Sequence, residues 1–304
     1  IMSKFIVTGG SGFIGSHLVE YLEDMGFDVR IFDIKEPEWF SPKAEVIKGD
    51  ILSKDDLISA TEGCDCIFDC SGVLGSAETF DYFEKTLRVN ALGTLRVLDV
   101  ARQQGIPVVY MSLKNTWKNP YMISKRTGTE LCQAYSQYLD TKACAIAGLN
   151  AYGPRQHWDP IRKMFPRFIM KILNDEIIEI FGDGKQIVDM IYVRDLAKIM
   201  YLAYEKEVWG DVFDAGSGRP RTVLSIADDL INMIGKGNYK HIEMRPGEPE
   251  QAIALADASF TVQKLDYYPE TSWDEGCRMT VDWYTELHLK QNLMSCFLQL
   301  NVLK

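Results

Sequence analysis

Tyr121 and Lys125 stand four residues apart in Pro120-Tyr121-Met122-Ile123-Ser124-Lys125. That spacing puts a phenol and an ammonium on one face of a helix. A phenol titrates near ~10 and is a poor base at neutral pH, but a neighbouring ammonium favours the phenolate. Such a pair can take a proton from a hydroxyl while hydride leaves the same carbon. A Tyr-x-x-x-Lys match is common by chance, so its weight depends on what lies upstream. There the chain reads Thr8-Gly9-Gly10-Ser11-Gly12-Phe13-Ile14-Gly15, between an apolar run and an amphipathic stretch. Glycines at such a junction allow a tight turn, a close approach of backbone N–H groups to a pyrophosphate, and tight packing of the helix on the sheet. The helix N-terminus adds its attraction for phosphate charge. Gly9, Gly12, Phe13, Ile14 and Gly15 are therefore expected to touch a dinucleotide. Asp33, closing the next apolar run, can accept hydrogen bonds from both ribose hydroxyls of adenosine, which favours NAD over NADP; Lys35 is a nearby cation. The positive nicotinamide of NAD would favour the Tyr121 phenolate further.

These residues need a frame that brings them together. Short β-branched runs at Lys4–Thr8, Asp28–Phe32, Ala44–Lys48, Cys66–Asp69, Pro107–Met111 and Lys142–Ala147 alternate with helical patterns, notably Phe13–Met25, Phe80–Gln104 and Tyr121–Leu139. Repeated strand–helix alternation predicts an α/β fold, a doubly wound parallel sheet of Rossmann type with ligands at the carboxyl ends of the strands. After Asn150 the alternation breaks and proline becomes frequent, at Pro154, Pro160, Pro166, Pro220, Pro246 and Pro249. Residues 1–150 are thus expected to form the NAD-binding domain and 151–304 a smaller mixed α/β substrate lobe, from which segments can thread back. Leu287–Lys304 carries no turn signal or motif.

Composition narrows the function classes. With 304 residues, 46% hydrophobic and 25% charged, the chain can bury a proper core and does not read as disordered, collagenous or coiled-coil. A net charge of −10 argues against a general nucleic-acid binder, though not against a small anion held by a few local arginines. No window reaches the ~18–20 apolar residues of a membrane span, and the N-terminal apolar run opens into glycines, so a cytoplasmic location with no membrane partner is expected. Seven scattered cysteines suit reduced thiols. In the strand-like CDCIFDC, Cys66 and Cys70 would stand about 13 Å apart at ~3.3 Å per residue, too far to share one ion, so no metal is expected.

Taken together, the motifs resemble the extended short-chain dehydrogenases, which include UDP-galactose 4-epimerases and dTDP-glucose dehydratases. The resemblance runs from Ser3 to Tyr284. It rests on the glycine string, Gly49-Asp50-Ile51, Arg88-Val89-Asn90-Ala91-Leu92-Gly93-Thr94 and the Tyr121/Lys125 pair. It continues through Asn150-Ala151-Tyr152-Gly153-Pro154-Arg155-Gln156, Phe181-Gly182-Asp183-Gly184-Lys185-Gln186 and Tyr192-Val193-Arg194-Asp195, then Gly216-Ser217-Gly218 and Arg245-Pro246-Gly247-Glu248-Pro249. By that resemblance Asp50 and Ile51 contact adenine, Asn90 braces the long helix near the cofactor, and Lys125 holds the nicotinamide ribose. Asn150 and Arg245, with Arg155 as a weaker candidate, face a substrate diphosphate; a guanidinium grips phosphate in a bidentate fork.

Three departures bear on the chemistry. Family members usually place a Ser or Thr directly after the position that Ser112 matches, and here that residue is Leu113. Ser112 itself joins Tyr121 and Lys125 in the expected catalytic set, reaching the site only if the strand end twists. Thr116 is a further hydroxyl that a short loop could fold inward. Dehydratases continue with Asp and Glu, whereas this chain has Lys114 and Asn115, and only seven residues separate Leu113 from Tyr121 where relatives insert a longer loop. Val188 replaces an arginine for the diphosphate. The expected function is an NAD-dependent enzyme acting on a nucleotide-diphosphate sugar, most simply a 4-epimerase. A related reductase or dehydratase, or a catalytically impaired binding protein, stands as the alternative. The resemblance also implies a homodimer paired through the long helices.

Overall fold

A computed structural model describes residues 3–114, 117–249 and 251–302. Seven strands form the main sheet: β1 (Lys4–Thr8), β2 (Asp28–Asp33), β3 (Glu45–Lys48), β4 (Cys66–Asp69), β5 (Val108–Leu113), β6 (Ala143–Gly148) and β10 (Val212–Ala215). All are parallel, in the order β10-β6-β5-β4-β1-β2-β3. Central strands such as β4 and β6 are buried at every residue, which is why they read as unbroken apolar runs. One face packs on α1 (Phe13–Asp24) and α7 (Val193–Glu205), through Leu18, Leu22, Leu196 and Met200. The other packs on α2 (Lys54–Thr61), α4 (Thr94–Gln104) and α5 (Pro120–Tyr138), through Leu57, Val97, Leu98 and Cys132. The strand order reverses between β1 and β4, so a crevice opens at their carboxyl ends.

The helix expected over Phe80–Gln104 is interrupted. A 3₁₀ turn at Glu78–Phe80 precedes α3 (Phe83–Leu87), and a π-helical turn at Arg88–Gly93 joins α3 to α4. The reason lies in Asn90, whose side chain bonds outside the helix, and in Gly93, where a Cβ would lie 2.9 Å from Ile51 Cγ2. The short helix α2 was not anticipated; Ser53 caps it by accepting from the Asp56 N–H, and Asp55 and Asp56 complement its dipole. The stretch without motifs, Leu287–Lys304, falls largely within α10 (Trp273–Val302), anchored at its start by Cys277, Val281 and Tyr284.

The second lobe surrounds its own core. β7 (Asn150–Tyr152) and β9 (Ile187–Tyr192) pair in parallel, with β11 (Pro220–Thr222) and β13 (Ile253–Ala254) on β9; β8 (Ile178–Phe181) pairs with β12 (Tyr239–Ile242). Phe168, Ile169 and Ile172 of α6 (Met164–Leu173) meet Ile226 and Leu230 of α8 (Val223–Ile234) and the start of α10. α7 and β10 are the segments that thread back to the main sheet. A short helix, α9 (Ser259–Leu265), follows β13. Two family-like motifs serve packing. Fully buried Asp189 collects N–H bonds from Ser217, Gly218 and Ala256, and Asp195 holds Tyr267, Glu270 and Thr271. No helix among the described residues is long and apolar enough to cross a membrane.

Candidate active site

The glycine turn is shaped by close packing. At Gly9, with φ +67°, a Cβ would lie 2.8 Å from Cys70 O, and at Gly15 it would lie 2.2 Å from Gly9 O. The β1–α1 turn therefore presses against the end of β4. Gly12 caps α1 with no side-chain hydrogen bond, which leaves the first N–H groups of the helix open to an anion. Phe13 and Ile14 line the cleft beside it. Asp33 ends β2, where its carboxylate accepts from the N–H groups of Ser11 and Lys35, both at 3.1 Å. Burial holds its pKa above the usual carboxylate value despite those bonds. Asp50 is exposed and orders the next turn by accepting from the Leu52 N–H at 2.9 Å, while Ile51 is buried beneath Gly93. These features fit a dinucleotide laid across the strand ends.

α5 starts where it must for Tyr121 to face this crevice. Asn119 Oδ1 accepts from the Met122 N–H at 2.9 Å, and Pro120 takes the first helical position. The same Asn119 donates from Nδ2 to Gly247 O at 3.2 Å, tying the start of α5 to the loop that carries Arg245. Lys125 Nζ lies 3.5 Å from Ser71 O and 4.3 Å from the Tyr110 ring centroid. Burial lowers its pKa, and the Asp69 carboxylate opposes that shift. Asp69, fully buried at the end of β4, accepts from Thr8 Oγ1 at 2.6 Å, Thr94 Oγ1 at 3.3 Å and Ser71 N–H at 3.1 Å. It was not singled out in the sequence, although a carboxylate closing the apolar strand Cys66–Asp69 is visible there. Asn90 accepts from Val73 N–H at 2.7 Å and donates to Val73 O at 2.9 Å and Ser124 Oγ at 3.0 Å, pinning the post-β4 loop to α5. Burial pushes the Tyr121 phenol up to about 12. In the chain alone the phenol is a proton donor, so its use as a base at neutral pH depends on a cation brought beside it.

A cleft of ≈ 310 Å³ separates these residues from the second lobe. Asn150 and Arg245 line it, together with Leu113 and Val188. Asn150 Nδ2 donates to Asp189 O at 3.3 Å; Arg245 Nη2 donates to Glu248 Oε1 at 2.6 Å, with its guanidinium 5.1 Å from the Phe181 ring. One expectation is corrected. Arg155, buried and with φ +68°, gives its guanidinium to Glu20 of α1 and packs 5.0 Å over Phe40, away from the cleft. Ser112 lines the cleft at the end of β5, and its Oγ shares a hydrogen bond with Thr129 Oγ1 of α5. Thr116 and Asn115 lie outside the described residues. Lys114 pairs with Asp214 at the mouth of the cleft. Lys163, which no motif marks, enters the cleft with Nζ 5.6 Å from the Tyr121 ring centroid.

Comparison with known proteins bears on the family and the fold. The model of the NAD dependent epimerase/dehydratase family matches residues 5–216. A trifunctional UDP-glucose 4,6-dehydratase/UDP-4-keto-6-deoxy-D-glucose 3,5-epimerase/UDP-4-keto-L-rhamnose-reductase of Arabidopsis thaliana is 27% identical, over 93% of this chain and 47% of that protein. The chain thus spans about half the length of that relative. Among solved structures, the epimerase Mth375 of Methanothermobacter thermautotrophicus superposes with TM-score 0.89 at 25% identity, covering 95% of each chain. MoeE5, solved in complex with UDP-glucose and NAD, superposes with TM-score 0.85 at 25% identity, over 93% of this chain and 99% of that one.

Proposed function

The chain belongs to the NAD dependent epimerase/dehydratase family, an NAD-dependent enzyme of the extended short-chain dehydrogenase type, and from that premise we propose that it is a nucleotide-sugar 4-epimerase. The observation that carries the substrate class is the charge of the cleft. In a chain of net charge −10, its lining holds Lys114, Lys125, Arg162, Lys163, Arg167 and Arg245 against Glu179 and Glu248. A cation-rich cleft in an acidic protein concentrates an anionic ligand, and a nucleoside diphosphate is such a ligand. NAD supplies the hydride acceptor when bound. Around it, the glycine turn with Phe13 and Ile14 would hold the pyrophosphate, Asp33 the adenosine ribose, Asp50 and Ile51 the adenine, and Lys125 the nicotinamide ribose. Asn90 keeps the post-β4 loop on α5. Arg245 and Asn150 would orient the diphosphate, and Tyr121 would take the C4 hydroxyl proton and return it once the keto sugar has presented its other face. Residues 1–150 read as the cofactor domain and 151–304 as the substrate lobe, with α7 and β10 returned to the first. A cytoplasmic setting is part of the same reading.

Incubating the protein with UDP-, dTDP-, GDP- and CDP-sugars and following proton NMR tests this. A new anomeric signal for the C4 epimer is expected, with no net consumption of NAD. Unchanged spectra throughout would favour the second reading, a binding protein with impaired catalysis. Leu113 and Val188, apolar where hydroxyl and guanidinium are usual, speak for that reading. The assembly proposed is a homodimer through α3, α4 and α5. Phe83 and Leu87, on successive turns of α3, are 43% and 38% exposed, an apolar stripe suited to a two-fold contact. Light scattering is expected to give twice the chain mass at micromolar concentration, and a monomer mass would refute it.

A further inference from the structure

We infer that Lys163 takes an anionic group carried by the sugar, so that the preferred substrate is a nucleotide-diphosphate hexuronate and not a neutral hexose. The inference rests on the nucleotide-sugar reading and adds the sugar's charge to it.

Most cations of the cleft already have carboxylate partners. Arg162 Nε lies 3.3 Å from Glu78, Arg167 Nη2 3.5 Å from Glu179 and Arg245 Nη2 2.6 Å from Glu248, while Lys114 pairs with Asp214. Lys125 sits on the cofactor side, with Asp69 as its nearby charge. Lys163 has no salt bridge among the described residues, and its Nζ lies 5.6 Å from the Tyr121 ring centroid. Burial pulls its pKa down and Arg245 adds to that, while Glu78 and Glu248 oppose it from a distance. Lys163 is partly exposed to the cleft, and a partly desolvated ammonium without a paired carboxylate is unfavourable; an incoming anionic oxygen relieves that cost.

The location selects the kind of oxygen. If the C4 hydroxyl meets Tyr121, what meets Lys163 beside the same ring is a near neighbour of C4. The diphosphate hangs from C1, across the sugar ring from C4. C6 branches from C5, the adjacent carbon. A neutral hexose places only a hydroxyl there; a uronate places a carboxylate, which forms a charge-assisted hydrogen bond with Lys163.

The full chain with NAD, titrated calorimetrically with UDP, UDP-glucose and UDP-glucuronate, separates the possibilities. The unaltered protein is expected to bind UDP-glucuronate about 10- to 100-fold tighter than UDP-glucose, as one charge-assisted bond allows. Lys163→Met should erase that difference, lowering affinity for UDP-glucuronate far more than for UDP or UDP-glucose, and Lys163→Arg should keep most of it. Equal affinities in the unaltered protein, or a preference that survives Lys163→Met, would overturn the inference alone. So would a uniform loss for all three ligands in Lys163→Met, which would put the diphosphate on Lys163. Failure of the unaltered protein to bind any of the three would remove the nucleotide-sugar reading as well.

Discussion

Replacing Tyr121 with Phe lowers turnover of the accepted nucleotide sugar by about 10²–10⁴, the range for loss of a positioned acid/base, and leaves NAD affinity nearly unchanged. The phenylalanine ring keeps the shape of the tyrosine ring in the cleft wall, so only the proton carrier is lost. Steady-state rates and a calorimetric NAD titration check both halves. Retention of full activity would mean that another group moves the proton. The second half of the test is Leu113. Its side chain lines the cleft at the place where a hydroxyl is usual in the family, and Ser112 is engaged with Thr129. Leu113→Thr therefore supplies a hydroxyl at that position of the cleft wall. Lost donors of this kind cost about 10²–10³ elsewhere, so turnover in Leu113→Thr should not fall and is expected to rise. A fall would show that the apolar wall has a role of its own.

Gly15→Ala is expected to abolish measurable NAD binding and to destabilise the fold. The new methyl would stand 2.2 Å from Gly9 O and 2.8 Å from Gly10 Cα, both backbone atoms that cannot swing aside. α1 must then move off the β1–α1 turn, taking its open N–H groups and Phe13 with it. Overpacking of this kind costs about 1–3 kcal/mol or more. For a chain of this size each kcal/mol lowers Tm by roughly 2–4 °C. Gly26→Ala is the comparison: with φ +86° it carries backbone strain, but nothing lies within 4 Å of its Cβ. It should lose some stability and keep NAD binding. If Gly15→Ala binds NAD like the unaltered protein, the pyrophosphate does not lie over this turn.

Much of this arrangement was readable before any coordinates, for identifiable reasons. The central strands of the main sheet, such as β4 and β6, are buried on both faces, so their runs stand out, and the glycine turn sits where the first run meets a helical period. The π turn at Arg88–Gly93 was not readable. Its cause is tertiary: Asn90 bonds the backbone of Val73 and the hydroxyl of Ser124, while the apolar spacing along the helix stays almost helical. Arg155 misled because its motif matches a loop near a diphosphate, whereas its partner Glu20 lies 135 residues away on α1. Lys163 left no trace in spacing. It precedes α6, and only the closing of the second lobe over α5 brings it to Tyr121. Asp69 closed a strand already assigned, and what distinguishes it is the set of bonds converging on it from β1, α4 and the post-β4 loop.

The return of β10 to the main sheet also bears on how the molecule is made. In chain order β6 follows β5 with only α5 between them, but the strand that covers its other edge, β10, comes after β7, α6, β8, β9 and α7. That open edge is six residues long, Ala143–Gly148, apolar or small throughout and without a charge. An uncharged, unpaired strand edge is a template for a second chain. A sheet formed without β10, as in a chain stopped short of Val212, would leave that edge exposed. Strand β10 is, in this sense, the guard on the open side of the main sheet.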